Sequence, residues 1–186
     1  MPYTFTHGAG TEADPYQVWT AADLNGVRDY LSAHFIQMAD IDLSGYENWE
    51  PIGAGTSEED IFAGSYDGNG YSISNLTSTQ LMSAGLFGII YGSCVIKNIA
   101  IVDCDVTSNV MAGGLSACVG NGVIIRNCMS SGVVTVNTSN EDLDYTPVGG
   151  LIGLISPLVD DGIIPSVENC FSTCSVSATN SSETYG

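Results

Sequence analysis

Two short motifs recur along the second half of this chain, and repetition on this scale constrains the fold more than any local pattern does. The first motif contains Gly-Leu, and its leucines are Leu86, Leu115 and Leu151. The second has the form Ile/Val-x-Asn, and its asparagines are Asn98, Asn127 and Asn169. The leucine and asparagine are 12 residues apart in the first two copies and 18 apart in the third, where residues 157–162 are interpreted as part of an insertion. Residues 73–76 are interpreted as an earlier, degenerate copy of the second motif.

The spacing and composition of these repeats predict stacked coils. Successive asparagines lie 29 and 42 residues apart, which is too irregular for a propeller, and short β-branched runs separated by Gly, Asn or Ser lie between them. One coil of two or three short strands cannot bury its own inner face, whereas stacked coils share a core and bond to each other about 4.8 Å apart. The sequence therefore predicts an all-β fold, a right-handed parallel β-helix. Like residues should form columns: the three asparagines in one, Cys128 on Cys170 in the next.

The first third of the chain has a different pattern, so residues 1–60 are predicted to be an N-terminal cap region and residues 61–186 the repeat coils. Thr20 followed by Asp23 resembles a capping box, and Leu24, Val27, Leu31 and Phe35 follow at helical spacing. We expect a short strand at residues 16–19, an amphipathic helix at residues 20–33 ending at His34, a strand at residues 35–43 and a loop at residues 44–60. The apolar face of the helix would cover one end of the coil stack.

The charge balance excludes several classes of partner. Three basic residues accompany 21 acidic ones, which gives a formal net charge of −18. Nucleic acid, anionic membranes and acidic polysaccharides are disfavoured, because binding them requires clustered Lys or Arg. No apolar run is long enough to span a bilayer, and residues 1–10 lack the pattern of a signal peptide, so no membrane insertion is predicted. The six cysteines contain no CxxC pair, which favours buried thiols over a zinc site and leaves disulfides as the alternative.

Taken in order, the motifs resemble the Glug-motif repeats of bacterial surface proteins. The resemblance rests on Ala84–Gly88 and Gly149–Gly153, each followed by Ile/Val-x-Asn, and on a lead-in that includes Asp40–Leu43, Trp49–Gly53 and Phe62–Gly70. Such repeats occur in filamentous-haemagglutinin-like adhesins and beside immunoglobulin A peptidase domains. The resemblance covers residues from about 10 onward and implies a β-helix in a surface or adhesion setting, with no catalytic residues. The middle repeat departs from the pattern, with Ser116 expected where the final Gly would stand.

No residue is predicted to be catalytic, to bind a cofactor or to hold a metal. Asp67–Gly70 offers too few carboxylates for calcium and is interpreted as a tight turn. The acidic stretches Glu58–Asp60 and Glu141–Asp144 could collect cations but are typical of solvated loops. Asp103 and Asp105 could form a hydrolytic pair on one strand face, although an exposed polar face beside an inward Cys104 is favoured. Neither His7 nor His34 belongs to a recognisable Ser-His-Asp arrangement.

The function predicted from the sequence is a non-enzymatic structural or adhesive module of a cell-surface or phage-fibre protein, located outside the cell or on a virion. One alternative is a domain that binds or cleaves carbohydrate, in which Tyr66, Tyr71 and Tyr91 could stack on sugars. Another is a self-assembling filament subunit. A surface glycan or a protein receptor is the expected partner. A β-helix end exposes unpaired backbone, and no second covering helix is evident, so self-association through the C-terminal end is also expected.

Overall fold

The computed structural model describes residues 1–55, 57–138, 146–156 and 163–180, and the prediction of an all-β fold is confirmed there. One α-helix, α1 (Ala21–Gly26), is followed by a 3₁₀ helix (Val27–Asp29), and a second 3₁₀ helix spans Glu58–Asp60. The strands are β1 (Tyr16–Val18), β2 (His34–Gln37), β3 (Ile41–Asp42), β4 (Ser65–Asp67), β5 (Ser72–Ser74), β6 (Thr77–Gln80), β7 (Ser83–Ala84), β8 (Phe87–Ile90), β9 (Val95–Lys97), β10 (Ala100–Ser108), β11 (Met111–Gly113), β12 (Ser116–Val119), β13 (Ile124–Arg126), β14 (Met129–Thr138), β15 (Val148–Gly149), β16 (Ile152–Ile155), β17 (Ser166–Glu168), β18 (Phe171–Ser172) and β19 (Ser175–Asn180).

Strands that are adjacent in space come from successive passages of the chain, and every ladder among the described residues is parallel. The first sheet has the order β1-β2-β4-β9-β13-β17. The second contains β3-β5-β10-β14-β18, with β6 and β19 pairing to β10 and β14. The third is β7-β11-β15 and the fourth is β8-β12-β16. The three coils from β4 to β16 therefore visit the sheets in the same order, and each bonds to the next.

Residues at equivalent positions of successive coils form columns, as the repeats predict. Leu86 donates its backbone N–H to the Gly114 carbonyl, and Leu115 donates to the Leu151 carbonyl, so the three repeat leucines are stacked. All three are buried. In the first sheet an inward column passes through Phe35, Tyr66, Ile96 and Ile125, all within the core. Burial of these columns is the main source of stability, because each coil covers apolar surface that its neighbour alone would leave in water.

The predicted asparagine ladder is confirmed. Each of its asparagines directly follows a strand of the first sheet, in register with the others, and each has a positive φ: Asn98 56°, Asn127 54° and Asn169 52°. The Asn127 amide donates to Asn98 Oδ1 at 3.0 Å, and the Asn98 amide donates to Asp67 Oδ1 at 2.9 Å. Asparagine suits this corner because it tolerates the left-handed conformation and bonds between coils.

Asn75 does not join this ladder. Its strand, β5, pairs with β10, so Asn75 occupies the corner of the second sheet that Asp103 occupies in the next coil. Both have a positive φ, 58° and 55°. The interpretation of residues 73–76 as an early copy of the Ile-x-Asn motif was therefore wrong: two different corners of the coil select Asn or Asp for the same backbone conformation.

Replacement of Asn98 tests the ladder. We expect Asn98→Ala to lower the free energy of unfolding by about 2 kcal/mol, because it removes both side-chain hydrogen bonds and places a β-carbon in the left-handed region. Asn98→Gly loses the same hydrogen bonds but adopts the positive φ freely, so it should cost less than the alanine variant. Urea denaturation of the three proteins measures both effects. Equal losses for Ala and Gly would show that the corner conformation contributes nothing.

The predicted helix at residues 20–33 is much shorter in the structure. The capping box is confirmed: the Thr20 hydroxyl accepts from the Asp23 backbone N–H, and the Asp23 carboxylate accepts from the Thr20 backbone. The α-helix ends at Gly26, however, and the 3₁₀ helix ends at Asp29. His34 does not end the helix but begins β2, and Phe35 faces the core from that strand. Pairing with β1 and β4 outweighs the helical spacing of Leu31 and Phe35.

Aromatic side chains that the sequence analysis did not single out help the helix cover this end of the core. Phe5 stacks on Tyr16 at 4.5 Å between ring centroids and lies 5.6 Å from Phe35. The Tyr3 hydroxyl donates to the Asp23 carboxylate at 2.6 Å, which ties the N-terminal segment to α1. Leu24 and Val27 are fully buried beneath them. Strand β2 pairs with β4, so the first sheet continues across residue 60, the predicted boundary between the cap region and the repeat coils.

The middle Gly-Leu repeat keeps the geometry of the other two, and its departure lies one residue later than expected. Ser116 aligns with Phe87 and Ile152, so Ala117 stands where the other repeats have their final Gly. Ser116 is fully buried, and its hydroxyl lies 2.9 Å from the Cys118 carbonyl and 3.2 Å from the Gly88 carbonyl, so the buried polar group is satisfied. The interpreted insertion at residues 157–162 lies outside the described residues.

Candidate functional site

The outer face of the first sheet carries a groove with a volume of about 350 Å³ that is lined by both polar and apolar side chains. Its floor comes from β2, β4, β9 and β13, whose inward residues alternate with outward ones. One outward column contains His34 and Ser65, and the next contains Asp67, Lys97 and Arg126. The loop residues Glu12, Pro15 and Ser93 contribute to the sides. We call this feature the sheet-face groove.

The charged residues of the groove lie on successive strands of the first sheet, each of which we call a rung. The Lys97 ammonium lies 3.0 Å from the Asp67 carboxylate, and Arg126 occupies the next rung. Burial raises the pKa of Asp67, but hydrogen bonds from Asn98, the Asn69 backbone and Lys97 outweigh it, so its pKa lies below the usual value. A depressed carboxyl pKa stabilises the fold above the unfolded-state pKa, and this contribution is lost as pH falls through the folded-state pKa.

Arg126 is exposed and makes no ion pair within the described residues. Its neighbour on the following rung, Glu168, instead accepts a hydrogen bond from the Ser166 hydroxyl at 2.8 Å. The guanidinium therefore faces the groove with its donors open to solvent.

A Ser-His pair, which the sequence analysis did not find, lies in the same groove. His34 Nδ1 and Ser65 Oγ are 2.6 Å apart on adjacent strands, although they are 31 residues apart in sequence. Nucleophilic catalysis also needs a group that orients the base and donors for the developing oxyanion. No carboxylate accepts a hydrogen bond from the His34 ring in the described part of the chain, and Asp67 is held by Asn98, Asn69 and Lys97. The arrangement is a pair rather than a triad.

Two further grooves adjoin each other on the N-terminal side of the molecule, with volumes of about 720 Å³ and 400 Å³, and share Arg28, Asp29, Leu31 and Asp60. Arg28, which lines both grooves, makes contacts that hold the fold together. It donates to the Glu50 carbonyl at 2.9 Å and lies 5.2 Å from the centroid of the buried Trp49 ring. The third cation of the chain therefore anchors the loop around Trp49 to the helical segment.

The turn predicted at Asp67–Gly70 is confirmed. The Tyr71 backbone N–H donates to the Gly68 carbonyl at 2.8 Å, and Asn69 and Gly70 both have a positive φ. The Asp67 carboxylate accepts from the Asn69 backbone at 2.8 Å, which closes the turn. The carboxylate is thus committed to the turn, the ladder and Lys97.

The other candidates from the sequence are not brought together into a site. Asp103 and Asp105 are exposed on either side of the buried Cys104, as the favoured interpretation predicted. Strand alternation is broken at Asp103 by its positive φ, so the two acids do not share a regular strand face. Tyr66 is fully buried, which removes it as a sugar-stacking residue; Tyr71 and Tyr91 are half-buried. Glu58–Asp60 forms a 3₁₀ turn, and Glu141–Asp144 lies outside the described residues.

The cysteines are free thiols packed among the coils. The predicted stacking of Cys128 on Cys170 is confirmed, since the Cys128 backbone N–H lies 3.4 Å from Cys170 Sγ. Cys104 Sγ and Cys174 Sγ are 4.0 Å apart. Among the described residues no group of three or more His, Cys, Asp and Glu side chains is placed to hold a metal ion.

Thiol reactivity should divide the cysteines into two groups. Burial raises the pKa of Cys94, Cys104 and Cys128 to about 12 and also raises that of Cys118, so none of these four is thiolate near pH 8. We expect Ellman's reagent to label only the half-buried Cys170 and Cys174 in the folded protein, and the other four after unfolding.

The variant with Cys170→Ser and Cys174→Ser is the control for this labelling. It should lose the labelling seen in the folded protein and keep the labelling seen after unfolding. Six equal rates in the native protein would contradict the observed burial.

No family model matches the chain. It is 34% identical over 159 residues to "Halomucin" of Haloquadratum walsbyi, an alignment that covers 78% of this chain and 2% of that protein. It is 38% identical over 106 residues to a "Putative Gly-rich membrane protein" of Evansella cellulosilytica, covering 52% of this chain and 12% of that protein. The chain thus spans a small part of the curated relatives it matches.

A crystal structure of a "putative immunoglobulin A1 protease" from Bacteroides ovatus resembles the chain in fold. The TM-score is 0.69, and the match covers 95% of this chain and 62% of that one. Sequence identity is 20%, so the likeness concerns the fold alone. No helix in the described ranges is long and apolar enough to cross a membrane.

Proposed function

We propose that this chain is a right-handed parallel β-helix segment of a cell-surface protein, with a structural or adhesive role and no catalytic activity of its own. One observation carries the proposal: equivalent residues recur on successive coils, with Leu86, Leu115 and Leu151 in one column and the ladder asparagines in another. A repeat whose motif positions hold leucine inside and asparagine at a corner is selected for stacking. This recurring geometry suits the shaft of an extended protein.

The relatives support an extracellular setting. One bears the name "Halomucin" and the other is named a Gly-rich membrane protein, and both are far longer than this chain. The Glug-motif resemblance points in the same direction, and we propose that the chain belongs to that repeat class. A net charge of −18 keeps such an exposed, strand-rich shaft soluble.

Surface location can be tested on cells of the source organism with antibodies raised against the folded chain. We expect labelling of intact cells and loss of that labelling after brief protease treatment. An antibody against a cytoplasmic protein is the control for leakage. Labelling that appears only after the cells are permeabilised would contradict a surface role.

The absence of catalysis is tested at the Ser-His pair of the sheet-face groove. Purified chain should release neither reducing ends from a panel of glycans nor fragments from a panel of peptides. Any turnover should be compared with the His34→Ala variant, which breaks the 2.6 Å contact with Ser65. Turnover by the wild type that this variant lacks would overturn the non-enzymatic proposal.

The C-terminal coil supports the expectation of self-association. Val167 and Val176 align with the buried Ile125 and Val134 of the preceding coil, yet they are 41% and 46% exposed. Both continue inward columns of the core, but no further strand pairs with β17 or β19 in the described residues to cover them. We propose that this end pairs with the strands of another coil, as a filament subunit would.

Light scattering over a range of protein concentrations at elevated salt, where charge repulsion is screened, should detect association through this end. Val176→Glu should abolish it, whereas Val133→Glu, a similar change on the side of the stack, should not. A monomer at every concentration and salt would remove the filament alternative.

A further inference from the structure

We propose that the sheet-face groove binds a sugar residue that carries a single carboxylate, with Arg126 and Lys97 as its anion contacts. This inference deepens the adhesive role proposed above and rests on it. It concerns a binding site that no motif marks, assembled by the register of four adjacent strands of the first sheet.

The distribution of cations favours this groove over every other described surface. The chain has three basic side chains, and Lys97 and Arg126 both line the sheet-face groove. The third, Arg28, is committed to Trp49 and Glu50. Glu12 and Asp67 also line the groove, but the other 19 of the 21 acidic residues lie elsewhere, so an anion is repelled by most of the surface and this groove is where two cations can attract it.

The order of charges along the column leaves one place for an anion. Asp67, Lys97, Arg126 and Glu168 lie on successive strands, so the two cationic residues stand side by side on strands whose backbones are about 4.8 Å apart. Like charges on adjacent strands repel each other. Asp67 compensates Lys97 at 3.0 Å, whereas Glu168 accepts from Ser166 and makes no ion pair with Arg126 in the described structure. A carboxylate in the groove would complete the column, and the fork of the arginine guanidinium can accept it in a bidentate arrangement.

The rest of the groove suits a sugar rather than a bare ion. Its volume of about 350 Å³ falls at the lower end of the range for small-molecule pockets, enough for one or two sugar rings. His34, Ser65 and Ser93 supply hydroxyl and imidazole groups for hydrogen bonds to sugar hydroxyls. Ile36 and Val95 supply apolar surface for a ring face.

The net charge limits the ligand to one carboxylate. A polyanionic chain would extend past two cations onto a surface with a net charge of −18, where repulsion opposes binding. A glycan with one acidic residue at its end avoids that cost. The exclusion of acidic polysaccharides therefore stays a prediction for polymers, and the proposed ligand is a terminal, singly charged residue.

The test uses N-acetylneuraminic acid methyl glycoside as the acidic probe, its neutral methyl ester as the matched ligand, and acetate as a bare anion. Heteronuclear NMR titration of the whole chain at low salt should show saturable shifts for Ile36, Ser65 and Val95 with the acid. We expect the ester to bind about tenfold more weakly or worse, because it loses charge-assisted hydrogen bonds. Acetate should also bind at least about tenfold more weakly, because it makes no contact through sugar hydroxyls.

Two variants that each change the net charge by one unit, in opposite directions, separate local contact from the general field, because a field effect would weaken binding in one and strengthen it in the other by similar factors. Arg126→Gln should weaken binding of the acid by about tenfold, whereas Glu168→Gln should leave it within about twofold. Unchanged thermal unfolding of both exposed variants would establish that the fold is intact. Equal affinity for acid and ester, equal affinity for acetate, or no effect of Arg126→Gln would overturn the proposal. These outcomes are independent of the cell-labelling experiment, so failure of the groove and failure of the surface role can be told apart.

Discussion

Replacement of Leu115 by alanine is expected to lower the free energy of unfolding by about 2–5 kcal/mol. Leu115 lies at the middle of its column, between Leu86 and Leu151, and is fully buried. Removing its side chain beyond the β-carbon leaves a cavity bounded by two coils that are fixed by their own ladders, so the surrounding structure cannot collapse to fill it. Chemical denaturation with a two-state fit measures the loss, and the melting temperature should fall by roughly 10 °C.

Two other leucines in the chain provide controls for this substitution. Leu151→Ala should cost less than Leu115→Ala, because Leu151 retains 8% exposure and lies nearer the open end of the stack. Leu81→Ala should change the free energy of unfolding by less than about 0.5 kcal/mol, because Leu81 is 76% exposed. If Leu115→Ala cost no more than Leu81→Ala, the leucine column would not be part of a packed core.

The columns could be predicted from the sequence because a repeat encodes its own register. Once Asn98 and Asn127 are taken as equivalent, the residues before and after them must also lie on one another, which is why Cys128 and Cys170 were expected to stack. Tight turns were predictable for a related reason: Asn69-Gly70 selects a positive φ through local chemistry alone. Both inferences depend on residues near in sequence or on equivalence between repeats.

The helix shows where local signals fail. Leu24, Val27, Leu31 and Phe35 are spaced for a helix, and the capping box at Thr20 does start one. Phe35, however, gains more from the core column of the first sheet, where it lies between Tyr16 and Tyr66. No residue in the stretch shows that β1 and β4 are available to pair with β2, so the sequence pattern could not reveal the competition.

The candidate site was not predicted, although one signal for it was present. Lys97, Arg126 and Glu168 each directly precede a ladder asparagine, so aligning the repeats places them in one outward column. The contact between His34 and Ser65 had no such signal, because His34 lies before the first recognisable repeat and was assigned to the end of a helix. The groove arises from register between coils, and a motif search along the chain does not detect it.

Gly132 allows the coils to change length at one corner of the second sheet. The coils that contain Asn75 and Asp103 carry a left-handed residue there, and the ladder between β10 and β14 shifts register between Ile101 and Cys104. Gly132 therefore faces Cys104 directly, with a φ of 125°. A β-carbon at this position would lie 2.1 Å from the Cys104 carbonyl oxygen and 2.4 Å from its nitrogen. Both atoms belong to the backbone of a central strand and have no room to move.

Gly132→Ala is accordingly expected to destabilise the fold by about 2–5 kcal/mol, from backbone strain and steric overlap together. Two other glycines separate these causes. Gly92 also has a positive φ, 96°, but a β-carbon there would meet no atom within 4 Å, so Gly92→Ala should cost only about 1–2 kcal/mol. Gly45 has open space and an ordinary φ, so Gly45→Ala should stay within about 0.5 kcal/mol of the wild type. Denaturation curves that rank the three variants in any other order would mean that β14 does not approach β10 this closely at the corner, and that the register shift is placed wrongly.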